Sequence, residues 1–267
     1  MIMKLILASA SLGRKYLLDK LKLDYETVHT NLDEEKIIAD TPVNTILLRA
    51  RLKGESAAVL LAVSNKLPKS LKSPATYNLK PITYLILSAD TEVILENNLF
   101  GKPASEKEAV QMLQLLSGKT HEVVSGYFLL KIDISTGRSS MQFSKIAYGK
   151  FEPTFTRENN NEILKRVQDD NAASQCRYIA SKKIASASAG KKTSWQGFDV
   201  SLVTFRKLTD NDIKRYLKYT DYTRFTGGYA LVASPQDFVT KVEGSISNVI
   251  GLPMEKVIPI LDKYFTL

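Results

Sequence analysis

The stretch TYLILSADTEVIL, residues 83–95, decides the fold. Tyr84 to Ser88 is apolar on both faces, and a strand covered on both sides belongs in the middle of a layered α/β sheet. It is expected to stop at Ala89-Asp90-Thr91 and to be followed by Glu92 to Leu95. Asp90 then stands at a strand end, where open α/β sheets usually bind ligands. On the N-terminal side, Lys4 to Ala8 reads as a strand and Ser9 to Gly13 as a tight loop. A helix follows on Leu17, Leu18 and Leu21, and Asp24 to Thr30 alternates as a second strand. Asp40, Thr41 and Pro42 supply a cap and a first-turn proline for a helix to about Val63. On the C-terminal side, Ser105 caps a helix with Ala109, Met112, Leu113 and Leu116 inward and a stop at Gly118. Strands are expected at His121 to Ile134, Gln142 to Tyr148, Val200 to Phe205 and Phe238 to Val242. Thr209 caps a helix to about Tyr219, and Pro253 opens a last helix with Val257, Ile258 and Leu261 on its apolar face.

The 267 residues include 37 Lys and Arg against 28 Asp and Glu, a net charge of +9. That excess is local. Residues 64–83 carry four lysines and no acid, residues 131–199 carry 12 basic and 7 acidic residues, and the remainder is balanced. Segments with the same loop-like, low-complexity composition, SNKLPKSLKSPATYNLKP and SKKIASASAGKKTSWQG, read as insertions at about 64–83 and 152–199 into one domain of two lobes, 1–267. Solvated lysines explain the charge, so nucleic acid is not expected as a partner. One cysteine, Cys176, cannot form an internal disulfide and fits a reducing cytoplasm, and two histidines, His29 and His121, nearly exclude a histidine-rich metal centre. The longest apolar runs fall far short of the ~20 residues that cross a bilayer, so no membrane association is expected. No GxxxxGK[ST] or GxGxxG motif occurs, which removes the P-loop and dinucleotide readings. His121 reads as a half-buried strand residue, Cys176 as no nucleophile, and Trp195 and Tyr178 as packing anchors.

Candidate chemistry gathers around the sheet. The loop Ser9-Ala10-Ser11-Leu12-Gly13-Arg14 leads into a helix, whose unpaired N–H groups, with two hydroxyls and a guanidinium, suit a phosphate. Ser11 as a plain N-cap and Arg14 as a surface ion-pair partner are the alternatives. Asp33, Glu34 and Glu35 follow the second strand, Lys53 lies late in the long helix, and Lys102 sits in a Gly-Lys-Pro turn. Carboxylates in such a set can hold a hard cation, and the basic groups an oxyanion. Lys53 as a solvated helix residue is the bland alternative.

These pieces together resemble the Maf family of nucleoside triphosphate pyrophosphatases. The resemblance rests on LILASASLGRKYLL at 5–18, DEE at 33–35, RARLK at 49–53, SADTEVIL at 88–95, FGKPASEKEAVQMLQLLSGKTHEVVSG at 100–126, VTFRKLTDNDIKRYL at 203–217 and VEGSISNVIGLP at 242–253. It implies an α/β fold with a mixed, elongated central sheet flanked by helices, similar to the inosine triphosphate pyrophosphatases, and suggests a homodimer. It also implies that Ser9, Ser11, Gly13 and Arg14 meet the substrate. Glu34, Lys53, Asp90 and Lys102 fall on catalytic positions, with Glu34 and Asp90 handling a divalent cation, Mg2+ or Mn2+. Thr91, in its Ala-Asp-Thr context, looks like the branch acting on dTTP and UTP.

The chain departs from that pattern in places. Leu12 and Gly13 stand where the first loop usually has Pro and then Arg or Trp, and Gly13 falls on a position tied to substrate choice. Phe225 aligns with a usual lysine and Val232 with a usual glutamine, so two polar ligands become apolar. The expected reaction is hydrolysis between the α and β phosphates, with Glu34 and Asp90 holding a cation or deprotonating water while Lys53, Lys102 and Arg14 neutralise the leaving pyrophosphate. A nucleotide-binding module without turnover is the rival reading.

Overall fold

The computed structural model describes residues 2–64, 82–134, 193–231 and 238–266. Most of both basic insertions, the strand expected at 142–148, Cys176, Tyr178 and Val232 lie outside the described residues. The elements in chain order are β1 (Ile2–Leu7), α1 (Leu12–Lys20), β2 (Tyr25–Thr27), a 3-10 turn (Glu34–Lys36), α2 (Pro42–Ser64), β3 (Ile82–Leu95), β4 (Asn98–Phe100), α3 (Glu106–Leu116) and β5 (Thr120–Ile134). Then come β6 (Thr193–Phe205), α4 (Asp210–Tyr219), 3-10 turns at Tyr222–Arg224 and Thr226–Gly228, β7 (Val239–Glu243), α5 (Ile246–Ile250) and α6 (Met254–Leu261).

The strands form one open, mixed sheet in the order β2-β1-β3-β5-β6-β7, with β4 pairing off β3. Among the described residues, β1 pairs in parallel with β2 and with β3, and the other pairings are antiparallel. Strand β3 is central, as its two-faced apolar pattern requires. It does not stop at Asp90. It runs through to Leu95, because β5 pairs with it continuously from Ile82↔Ile134 to Ile94↔Glu122. Its other neighbour is what ends: β1 pairs with β3 only as far as Leu7↔Leu87. From Ser88 to Glu92 that edge of β3 has no strand partner and faces the β1–α1 loop, until β4 takes it up at Val93↔Phe100. Asp90 therefore sits in mid-strand beside a gap in the sheet, at the carboxyl end of β1 where ligand clefts of parallel strands open.

Alternation along β3 sorts its side chains between two layers. Leu85, Leu87 and Ala89 pack with Leu5, Leu7, Leu17 and Leu18 and with Val257 and Leu261 of α6. Tyr84 and Ile86 pack with Ala50, Ala57, Ala58 and Leu61 of α2, together with Phe128 and Leu130 of β5. Gly54 lets α2 lie this close, since a Cβ there would meet Phe128 Cδ1 and Ser88 Oγ at 2.7 Å. Past Glu92 the sheet enters a second core, where Val93 and Leu95 join α3, Phe205 and Tyr216 of α4. The capping predictions hold: Ser105 accepts from the Glu108 N–H, and Thr209 and Asp212 form a reciprocal capping box. In α6 Met254, Val257, Ile260 and Leu261 are buried, and Ile258 packs against the same core from a partly buried position. β6 begins seven residues before the expected Val200, since Thr193 to Asp199 pair with β5 from Lys131 to Ser125. Trp195, on that early part, packs edge-on against Tyr264. Among the described residues, no helix is long and apolar enough to cross a membrane.

His121 is fully rather than half buried. Its Nε2 lies 2.8 Å from the Tyr229 hydroxyl, and Nδ1 has no partner. Burial pushes its pKa down from 6.5 to about 4, so the fold favours the neutral ring. That contribution to stability is present above the unfolded pKa and is lost as pH falls from about 6.5 towards 4. The urea midpoint should therefore drop more steeply over that range in the wild type than in His121→Gln. Parallel slopes for the two proteins would contradict this.

Candidate active site

Helix α2 and strand β3 build the centre of the site through a match of repeats. Four residues along a helix advance about 6 Å and two along a strand about 6.6 Å. Arg49 and Lys53 thus lie in register with Glu92 and Asp90. Lys53 Nζ lies 2.7 Å from Asp90 Oδ1, and Arg49 Nη1 lies 2.7 Å from Glu92 Oε1. Lys53 also meets Glu34 Oε2 at 2.5 Å and the Ala89 carbonyl at 3.3 Å. This lysine is no solvated helix residue, being only 5% exposed. Its charge is stable there because two carboxylates surround it, since an unpaired buried ammonium would be expelled or neutralised.

The Glu34–Lys53–Asp90 triad unites three elements distant in sequence: the 3-10 turn after β2, the long helix and the central strand. Asp90 Oδ2 has no hydrogen-bond partner, and the nearest cation, Arg49 Nη1, stands 3.9 Å away. A buried carboxylate with one oxygen fixed and the other open is able to accept a proton or bind a cation. Lys102 lines the same cleft but is exposed and has no ion-pair partner among the described residues.

Thr91, on the opposite face of β3, belongs to a second network. Arg14 donates from Nη2 to Thr91 Oγ1 at 3.0 Å, from Nη1 to Ser9 Oγ at 3.0 Å and from Nε to the Gly251 carbonyl at 2.8 Å. Arg14 is therefore a buried brace, not a surface ion-pair partner. It ties the first loop to β3 and to the end of α5. Three of its five N–H groups are used and no carboxylate pairs with it, so its charge and two donors remain for an anion in the cleft it lines. Ser11 is the N-cap of α1, accepting from the Arg14 N–H at 3.4 Å, and its backbone N–H donates to Ser9 Oγ. Gly13 presses on the end of α5, where a Cβ would come within 2.6 Å of the Ile250 carbonyl. This packing leaves no room for a side chain at 13 without displacing α5.

Four cleft residues escaped the sequence reading: Arg49, Glu92, Arg224 and Thr226. Glu92 was legible in principle, as a carboxylate in an otherwise apolar strand two residues from Asp90. It is buried, and burial and the neighbouring Asp90 push its pKa up to about 7. The Thr226 hydroxyl lies 2.5 Å from Glu92 Oε2 and also contacts the Phe100 carbonyl. Among the described residues no three His, Cys, Asp or Glu side chains gather into a preformed metal site.

Comparison with known proteins places this arrangement in context. The family model for Maf-like proteins matches the chain in two overlapping stretches, residues 4–178 and 156–264. A dTTP/UTP pyrophosphatase of Treponema denticola is 30% identical over 267 residues, covering 97% of this chain and 96% of that protein. Proteins of the same description from Alkaliphilus oremlandii and Pyrococcus furiosus are each 27% identical, covering 99% and 97% of this chain.

Proposed function

The chain belongs to the family of Maf-like proteins, and from that premise we propose that it is a nucleoside triphosphate pyrophosphatase acting on dTTP and UTP. It cleaves the bond between the α and β phosphates, giving the monophosphate and pyrophosphate. The observation that carries the reading is Asp90: one carboxylate oxygen held by Lys53, the other buried and unpartnered.

Asp90 Oδ2 takes a proton from, or orients, the water that attacks the α-phosphorus. Lys53 fixes the Asp90 rotamer through Oδ1 and holds Glu34 beside it, so that both carboxylates are preorganised before substrate arrives. Lys102 and the two spare N–H donors of Arg14 face charge that builds on the departing pyrophosphate, where preorganised donors contribute most to rate. Thr91 and Ser9 act through Arg14 by holding its fork in place, while Ser11 and Gly13 set the loop that carries it. The donor set of Glu34 and Asp90 fits Mg2+ or Mn2+, hard ions that keep several waters and share phosphate oxygens. Glu34 and Asp90 are both already paired with Lys53, so such an ion is best suited to enter with the triphosphate. When bound it would act as a Lewis acid on the phosphate oxygens.

A panel of nucleoside triphosphates assayed for pyrophosphate release tests the proposal. dTTP and UTP should release pyrophosphate with Mg2+ present, the release should stop with excess EDTA, and it should return on adding Mg2+. Release of inorganic phosphate alone, or turnover indifferent to EDTA, would overturn it.

A further inference from the structure

The cations of the cleft are not equally available. Lys53 is neutralised by Asp90 and Glu34 and Arg49 by Glu92, while Arg14 keeps its charge but is fixed in place by Ser9, Thr91 and Gly251. Six carboxylates and five Lys and Arg side chains line the cleft among the described residues, so its own charge is close to balanced. A triphosphate of about four negative charges needs positive groups that the protein has not already neutralised. Two lining side chains are exposed and lack any hydrogen-bond or ion-pair partner among the described residues: Lys102 and Arg224.

Their backbones are fastened side by side. Gly227 donates its N–H to the Gly101 carbonyl at 2.9 Å. The Thr226 hydroxyl contacts the Phe100 carbonyl and lies 2.5 Å from Glu92 Oε2. Arg224 itself ends a 3-10 turn closed by its N–H to the Asp221 carbonyl and by the Phe225 N–H to the Tyr222 carbonyl. A free arginine is thus presented from a segment pinned to the one that carries the free lysine, and both side chains line the same cleft. Building on the pyrophosphatase reading, we propose that Arg224 binds the terminal phosphates of the triphosphate together with Lys102, which makes this chain select triphosphates over diphosphates and monophosphates. The planar guanidinium can engage two phosphate oxygens at once, which an ammonium cannot.

The test is titration calorimetry of the whole chain with a non-hydrolysable α,β-methylene triphosphate of thymidine, and with the monophosphate, alongside turnover of dTTP. Arg224→Ala should weaken the triphosphate analogue by about 10- to 100-fold, the usual worth of a charge-assisted bond. It should leave monophosphate binding within a factor of about two and raise KM for dTTP more than it lowers kcat. Arg224→Lys should recover part of the analogue's affinity. Equal affinity of wild type and Arg224→Ala for the analogue would overturn the assignment and leave the pyrophosphatase reading standing. Weakened analogue binding in Arg224→Ala, with a wild type that releases no pyrophosphate, would keep the clamp and sink the enzyme. No binding of the analogue by the wild type would remove both.

Discussion

Asp90→Asn is expected to lower pyrophosphate release from dTTP by about 100- to 10,000-fold, the range that a positioned acid or base contributes. The substitution is close to isosteric, and the Asn side-chain oxygen can still accept from Lys53, which lies 2.7 Å from Asp90 Oδ1. Binding and folding should therefore survive while the basic, anionic Oδ2 is lost. The comparison to make is turnover against affinity for the uncleavable analogue. A large fall in the first with a small change in the second places Asp90 in the chemical step. Turnover within a factor of about three of wild type would remove Asp90 from that step, whatever the family resemblance implies.

Lys53→Met should be the most damaging single change for stability as well as for activity. It removes one ammonium and strands two carboxylates. Asp90 is only 4% exposed, so its charge would be left in a poorly solvated site. Breaking a buried pair from one side costs about 3–5 kcal/mol, and the lower end applies because the Glu34 side chain, 38% exposed, can turn to water. Urea denaturation should show a marked fall in midpoint with an unchanged slope. The sign of the cause can be checked with the double variant Asp90→Asn, Lys53→Met. If the loss comes from an unpaired buried charge, neutralising Asp90 in the same chain should restore stability relative to Lys53→Met alone. Equal stability of wild type and Lys53→Met would mean the triad contributes nothing to the fold.

Much of this architecture is written in local patterns. The helices announce themselves through capping residues: Ser105 and Thr209 fix the starts of α3 and α4, where the hydroxyl satisfies an N–H that the helix cannot. The central place of β3 follows from its two apolar faces. What local pattern cannot carry is pairing across long separations. The reading of Asp90 as a strand terminus takes Ala89-Asp90-Thr91 as a break, whereas β5 sustains the ladder through it and only β1 stops. The same cause hid Arg49. Nothing near it in sequence demands a buried guanidinium, and its partner lies 43 residues away. The first loop differs again: a hydroxyl-rich turn with an arginine looks the same in sequence whether the arginine reaches solvent or a carbonyl 237 residues later. The loss of the usual lysine at Phe225 reads in sequence as a missing contact. In the fold, Arg224 beside it lines the cleft and brings a cation to the same segment.

Attack of water on the α-phosphorus beside Asp90 is the central step of the proposed reaction, and isotope labelling tests it directly. When dTTP is turned over with Mg2+ in 18O-enriched water and the products are resolved by mass spectrometry, the label should appear in the monophosphate and not in the pyrophosphate, with wild type active and Asp90→Asn nearly silent. Label in the pyrophosphate, or equal labelling by both proteins, would contradict it.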